Sequence, residues 1–121
     1  MKVLIHLWKA FGFSLQGFRD TMHYEMAFRI ELTVAAVLIP TALFLPVSLI
    51  PRILLISSVF LVLIVELLNS GIEAVVNRIS TEQHPLSGRA KDAGSAAVFL
   101  SAANMVIVWG SILFDLIFNY S

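Results

Sequence analysis

Residues 32–50 form an uncharged run of 19 residues. As a helix such a run crosses about 30 Å of hydrocarbon, and few other surroundings can satisfy an apolar rod of that length. A second apolar run, residues 53–65, follows directly after Arg52 and continues to about residue 80, and a third span extends from about residue 90 to 118. Composition agrees: 59% of the chain is apolar and 13% charged, with mean hydropathy +0.91. A water-soluble domain carries about 25% charged residues. The chain is therefore read as one all-α integral-membrane domain, with spans at about 27–47, 52–80 and 90–118. A formal net charge of zero offers no basic footprint for nucleic acid. Without cysteine there is no disulfide framework, thiolate nucleophile or thiolate metal site.

Ahead of the spans, Leu4, Trp8, Phe11, Leu15, Phe18 and Met22 recur in steps of four and three, while Lys2, Lys9, Gln16, Arg19 and Asp20 lie mostly off that stripe. Residues 1–24 are thus expected to form an amphipathic helix in the membrane interface, broken or kinked at Gly12 and Gly17. A signal peptide is not expected, because the apolar segment after Lys2 is short and lacks a small-x-small cleavage site. Glu25 and Arg29 are spaced to pair along a helix. Pro40 is an expected kink, and Pro46 and Pro51 mark a tight turn. Residues 80–89 read as a polar loop. Ala93, Ala97 and Ser101 give span three a small-residue face for close helix approach. Asn104 is assigned to packing, and Trp109 and Tyr120 to the far interface. Seven of the eight Lys and Arg residues flank the first span's start or the 80–91 loop, and only Arg52 lies opposite. This places the N-terminus and that loop on the cytoplasmic side and the C-terminus outside.

Within span two, Glu66, Asn69, Glu73 and Asn77 fall on one narrow helical face. A carboxylate in a bilayer costs at least about 2.5–3.5 kcal/mol, so such groups are usually functional. Counted back from Arg78, Glu73 lies about 7 Å in and Glu66 about 18 Å in. Glu25 and Glu73 suit a hard cation such as Mg²⁺, which takes one or two carboxylates with phosphate and water oxygens. A deep Glu66 could take a proton from a lipid hydroxyl, and Lys91 could neutralise phosphate. No soluble phosphate-binding signature is present. Spacing alone leaves open a small kinase or a small Glu-coupled transporter.

Residues 66–76 (ELLNSGIEAVV) and 84–98 (HPLSGRAKDAGSAAV), with 25–31 (EMAFRIE) and 52–58 (RILLISS), resemble the prokaryotic diacylglycerol kinase family. The resemblance covers nearly the whole chain. It implies a homotrimer in the bacterial inner membrane, each protomer carrying three spans and a surface helix, with active sites shared between protomers. It further implies transfer of the γ-phosphoryl group of Mg-ATP to diacylglycerol, giving phosphatidic acid. By that likeness Glu66 matches the catalytic base, with Asn69 beside it, and Glu25 and Glu73 match the metal-holding carboxylates. Glu82, Gln83, His84, Lys91 and Asp92 match nucleotide-contacting positions, as do His6 and Phe13 on the surface helix. Ser14, Arg19, Arg29, Glu31, Arg52, Ser95 and Trp109 align with the lipid cleft. The chain departs from the family pattern at Asn77, where an acidic residue is common, and at His6, where a basic one is usual. His84-Pro85 is similar to the related undecaprenol kinases.

Overall fold

The structure, a computed structural model, describes residues 1–79 and 82–119; Ser80, the expected end of span two, and Tyr120 fall outside them. Four helices account for the described chain, without a strand among the described residues: α1 (Lys2–Tyr24), α2 (Met26–Phe44), α3 (Leu49–Ile79) and α4 (Pro85–Phe118). Helices α2, α3 and α4 are each long and apolar enough to cross a membrane.

Helix α1 runs unbroken through Gly12 and Gly17. A single glycine lowers helix stability by about 1 kcal/mol but removes no hydrogen bond, so neither position has to kink. Exposure along the apolar stripe falls from 77% at Trp8 to 37% at Phe18, and Phe18 meets Phe28 edge to face with ring centroids 5.2 Å apart. The C-terminal half of α1 thus rests on the bundle. Its N-terminal half presents bare apolar side chains, as a helix lying in a lipid interface does.

Between α1 and α2 the chain breaks at Glu25 alone, which is extended at φ −114° and ψ 110°. Arg29 does not pair with Glu25 as its spacing suggested. Its Nη1 donates to the Met22 and His23 carbonyls, which α1 leaves without helical partners. Arg52 does the same for α2, donating from Nη1 to Ala42 and Leu43 and from Nη2 to Val47. The turn itself is residues 45–48. Pro51 falls in the first turn of α3, where no N–H is needed, and α2 continues through Pro40.

The buried positions of α2 are Phe28, Ala35 and Ala42, a step of seven. Leu55, Val62, Asn69 and Val76 repeat the same step on α3. Two such series running antiparallel from the Arg52 anchor bring Ala42 level with Leu55, Ala35 with Val62, and Phe28 with Asn69. Glu31 is thereby level with Glu66, and Glu25 with Glu73.

Helix α4 begins at Pro85, five residues ahead of the expected start near Ala90. Proline is pre-set for a first helical position, and the His84 ring caps the helix, its Nδ1 accepting from the Leu86 N–H at 3.1 Å. The face of α4 that packs on α3 carries Gly94, Ser101 and Trp109, whereas Ala93, Ala97 and Asn104 are exposed on the protomer. Within the protomer the close approach is made at Gly94 and Ser101, while Ala93, Ala97 and Asn104 pack against no other helix of the same chain. Trp109 is not an interfacial side chain: it is 8% exposed, and its Nε1 donates to the Leu55 carbonyl at 3.1 Å.

At about 1.5 Å per residue, the 19-residue α2 is about 28 Å long and the 31-residue α3 about 46 Å. On the register above, Met26 at the start of α2 is level with Gly71, so α3 overshoots α2 by roughly its last eight residues. That overshoot carries Glu73 and Asn77, and α1 folds across it.

Candidate active site

The antiparallel register of α2 and α3 gathers four carboxyl groups at one end of the bundle. Glu66 is 5% exposed; its carboxyl meets that of Glu31 and lies within electrostatic reach of Glu25 and Glu73. Glu31 is half-buried, and its Oε2 has no hydrogen-bond partner. Glu25 and Glu73 are half-buried higher in the same column, nearer the open end of α3. Asn69 is 8% exposed and sits between the levels of Glu66 and Glu73, its Nδ2 donating to Glu73 Oε1 at 3.4 Å.

One hollow opens onto this column and a second adjoins the first. The first, of about 600 Å³, lies between α1 and the overhanging part of α3; Ser14, Tyr24, Glu25, Ser70, Glu73 and Asn77 are on its wall. The other, of about 580 Å³, lies under the start of α4, bounded by Asn77, Glu82, Gln83, His84 and Lys91. Asn77 belongs to both walls, so the hollows adjoin at the head of α3.

Of the residues singled out from the sequence, Ser14, Glu25, Glu73, Glu82, Gln83, His84 and Lys91 line these hollows, while Glu31, Glu66 and Asn69 lie just beneath. Asp92 and Ser95 are exposed on the first turns of α4, and His6, Phe13 and Arg19 are exposed along α1. None of these five is on either wall. Arg29 closes the end of α1. Arg52 and Trp109 stand near the opposite end of the bundle, Arg52 about 21 Å along α3 from Glu66.

The structure adds residues that sequence reasoning passed over. The hydroxyl of Ser70 is buried without a partner beside the α1 hollow, and Asp20, Thr21 and Tyr24 line that hollow from α1. Ser70 is off the Glu66–Asn69–Glu73 stripe by one residue, so helical spacing gave it no weight. Only the fold-back of α1 discloses the other three.

The donors at the head of α3 are all oxygen, as Mg²⁺ or Ca²⁺ requires. Among the described residues no group of three or more His, Asp and Glu is arranged to hold a metal by itself. A pair of carboxylates that leaves the remaining positions to phosphate and water fits a nucleotide-borne Mg²⁺ better than a resident ion.

Comparison with known proteins bears on the same residues. The family model for prokaryotic diacylglycerol kinase matches residues 12–113. A diacylglycerol kinase of Haemophilus influenzae is 53% identical over 111 residues, covering 92% of this chain and 94% of that relative. One from Escherichia coli K12 is 52% identical over 107 residues, 88% of each chain. Another, from Helicobacter pylori J99, is 36% identical over 113 residues, 93% of this chain and 88% of its own. A match of this length, carried through the carboxylate column and both hollows, makes the chain a member of the prokaryotic diacylglycerol kinase family.

Proposed function

We propose that the protein is an ATP-dependent diacylglycerol kinase of the bacterial inner membrane. The observation that carries this reading is the column of Glu66, Asn69, Glu73 and Glu25, which leads from a depth within span two to the hollow between α1 and α3, with the hollow under α4 adjoining it at Asn77. A lipid alcohol reaches Glu66 from the bilayer, and a nucleotide reaches Glu73 and Lys91 from the aqueous phase.

Glu66 acts as general base. Its carboxylate takes the proton of the lipid hydroxyl as that oxygen attacks the γ-phosphorus in line, and the bond to the β–γ bridging oxygen breaks to release ADP. The new ester is phosphatidic acid, and the proton stays on Glu66 until water removes it. Asn69 orients the Glu73 carboxylate. Glu25 and Glu73 are the residues that would hold a nucleotide-borne Mg²⁺, which would supply charge neutralisation at the phosphates. Lys91 screens the same charge, and Glu82, Gln83, His84 and Asp92 bound the nucleotide. His6, Phe13, Ser14 and Arg19 approach from α1, and Glu31 and Ser95 from the lipid side. Arg29, Arg52 and Trp109 contribute to the fold.

The functional unit is a homotrimer with sites completed between protomers. In support, the protomer leaves Ala93, Ala97 and Asn104 exposed on one face of α4, and an amide such as Asn104 is poorly accommodated by hydrocarbon. A second α4 packing there would bury small side chains and give the amide a partner.

The test is phosphoryl transfer from labelled ATP in mixed micelles, with diacylglycerol and undecaprenol assayed side by side. Diacylglycerol should be the faster acceptor, and Glu66→Gln should abolish transfer while retaining Mg-ATP binding. Near-normal turnover by the variant rejects Glu66 as the base, and a preference for undecaprenol moves the assignment to that related kinase.

A further inference from the structure

We infer that Gly94 is a positioning residue for the site: by lacking a side chain it admits the Asn69 carbonyl oxygen against α4 and so aims the Asn69 NH2 group at Glu73. This rests on the proposed role of Asn69 and Glu73 in phosphoryl transfer.

At five of the six glycines, a Cβ added to the backbone would meet nothing within 4 Å. At Gly94 it would stand 2.0 Å from Asn69 Oδ1 and 3.1 Å from Asn69 Cγ. No other residue type fits unless Asn69 moves. The position is fixed by register, because Gly94 on α4 and Asn69 on α3 are both buried and lie about 21 Å along the helices from the Trp109–Leu55 hydrogen bond, which pins the same two helices nearer their other ends.

Asn69 Oδ1 is buried without a conventional hydrogen-bond donor. Its neighbour in the vacant Cβ direction is a Cα–H of Gly94, a weak donor that suits a carbonyl oxygen. Turning the amide over would set its oxygen against the Glu73 carboxylate and its NH2 against that C–H, which is worse at both ends. The glycine therefore selects the orientation in which Nδ2 faces Glu73 Oε1. The obstructing atom is the tip of a side chain rather than backbone, so an added methyl group displaces the amide before it displaces α4. Glu73 then loses its donor.

The experiment compares Gly94→Ala, Asn69→Ala and the double variant with wild type, using full-length protein in mixed micelles. Gly110→Ala is the control, since a Cβ there meets nothing. Asn69 side-chain amide resonances are identified by their loss in Asn69→Ala. They should shift in Gly94→Ala and stay in place in Gly110→Ala. The KM for Mg-ATP should rise about tenfold in Gly94→Ala with the diacylglycerol KM little changed, and adding Gly94→Ala to Asn69→Ala should change it less than about twofold. Unmoved Asn69 resonances overturn the proposal, as does an equal further loss in both backgrounds. Should Gly94→Ala fail to fold while the double variant folds, the amide is the obstacle and the proposal stands; if neither folds, Gly94 serves backbone packing and the proposal falls. Full turnover by Asn69→Ala would instead reject the functional reading of Asn69, and the resonance shift would still report the Gly94 contact.

Discussion

Glu73 shows how a single charge can be tested apart from shape. Glutamine keeps the length of the side chain and its acceptor toward Asn69 Nδ2, but removes the formal charge. With Glu73→Gln the KM for Mg-ATP should rise about tenfold while the KM for diacylglycerol holds, a loss of about 1.4 kcal/mol of nucleotide binding. Titration with Mg²⁺ at fixed ATP measures it, and unchanged nucleotide affinity would remove Glu73 from metal holding. At this scale the sequence was most legible where side chains share a helix. Glu66, Asn69 and Glu73 stand on one face because 3.6-residue spacing requires it. Trp109 was misread because an indole suits both a membrane interface and a buried backbone carbonyl. Which it meets depends on the height of Leu55 on another helix, and spacing within α4 carries no information about that.

Helix ends depend on the few groups able to satisfy unpaired carbonyls, and two arginines here do that work. Arg52 offers donors to the Ala42 and Leu43 carbonyls at the end of α2 and to the Val47 carbonyl in the turn beyond it. The alternative role for Arg52, along a lipid cleft, makes a different prediction. Arg52→Met should lower stability against denaturant by about 2–3 kcal/mol while both KM values stay within about twofold of wild type. A raised KM for diacylglycerol with unchanged stability would return Arg52 to the lipid. The extents of the elements were legible to within a few residues, since charge-free length and proline placement fix them. The early start of α4 needed the His84 cap, and α1 stays unbroken because a lone glycine at 12 or 17 removes no backbone hydrogen bond.

For the molecule as a whole, unequal helix lengths decide where chemistry can occur. A short α2 beside a long α3 exposes the head of α3 at one end of the bundle, and α1 and the start of α4 enclose it. That arrangement was only partly readable, since length differences follow from the sequence but the fold-back of α1 does not. The reading as a kinase requires the enclosed end to face the cytoplasm, where ATP is, and the excess of Lys and Arg at that end agrees. Because the chain has no cysteine, single introduced ones report the orientation directly. In intact cells a maleimide unable to cross the inner membrane should modify Ser48→Cys and Asn119→Cys, both exposed at the far end, and modify Gln83→Cys only after lysis. The reverse pattern would put Glu73, Lys91 and both hollows on the side without ATP, and phosphoryl transfer to a lipid alcohol could not be their function.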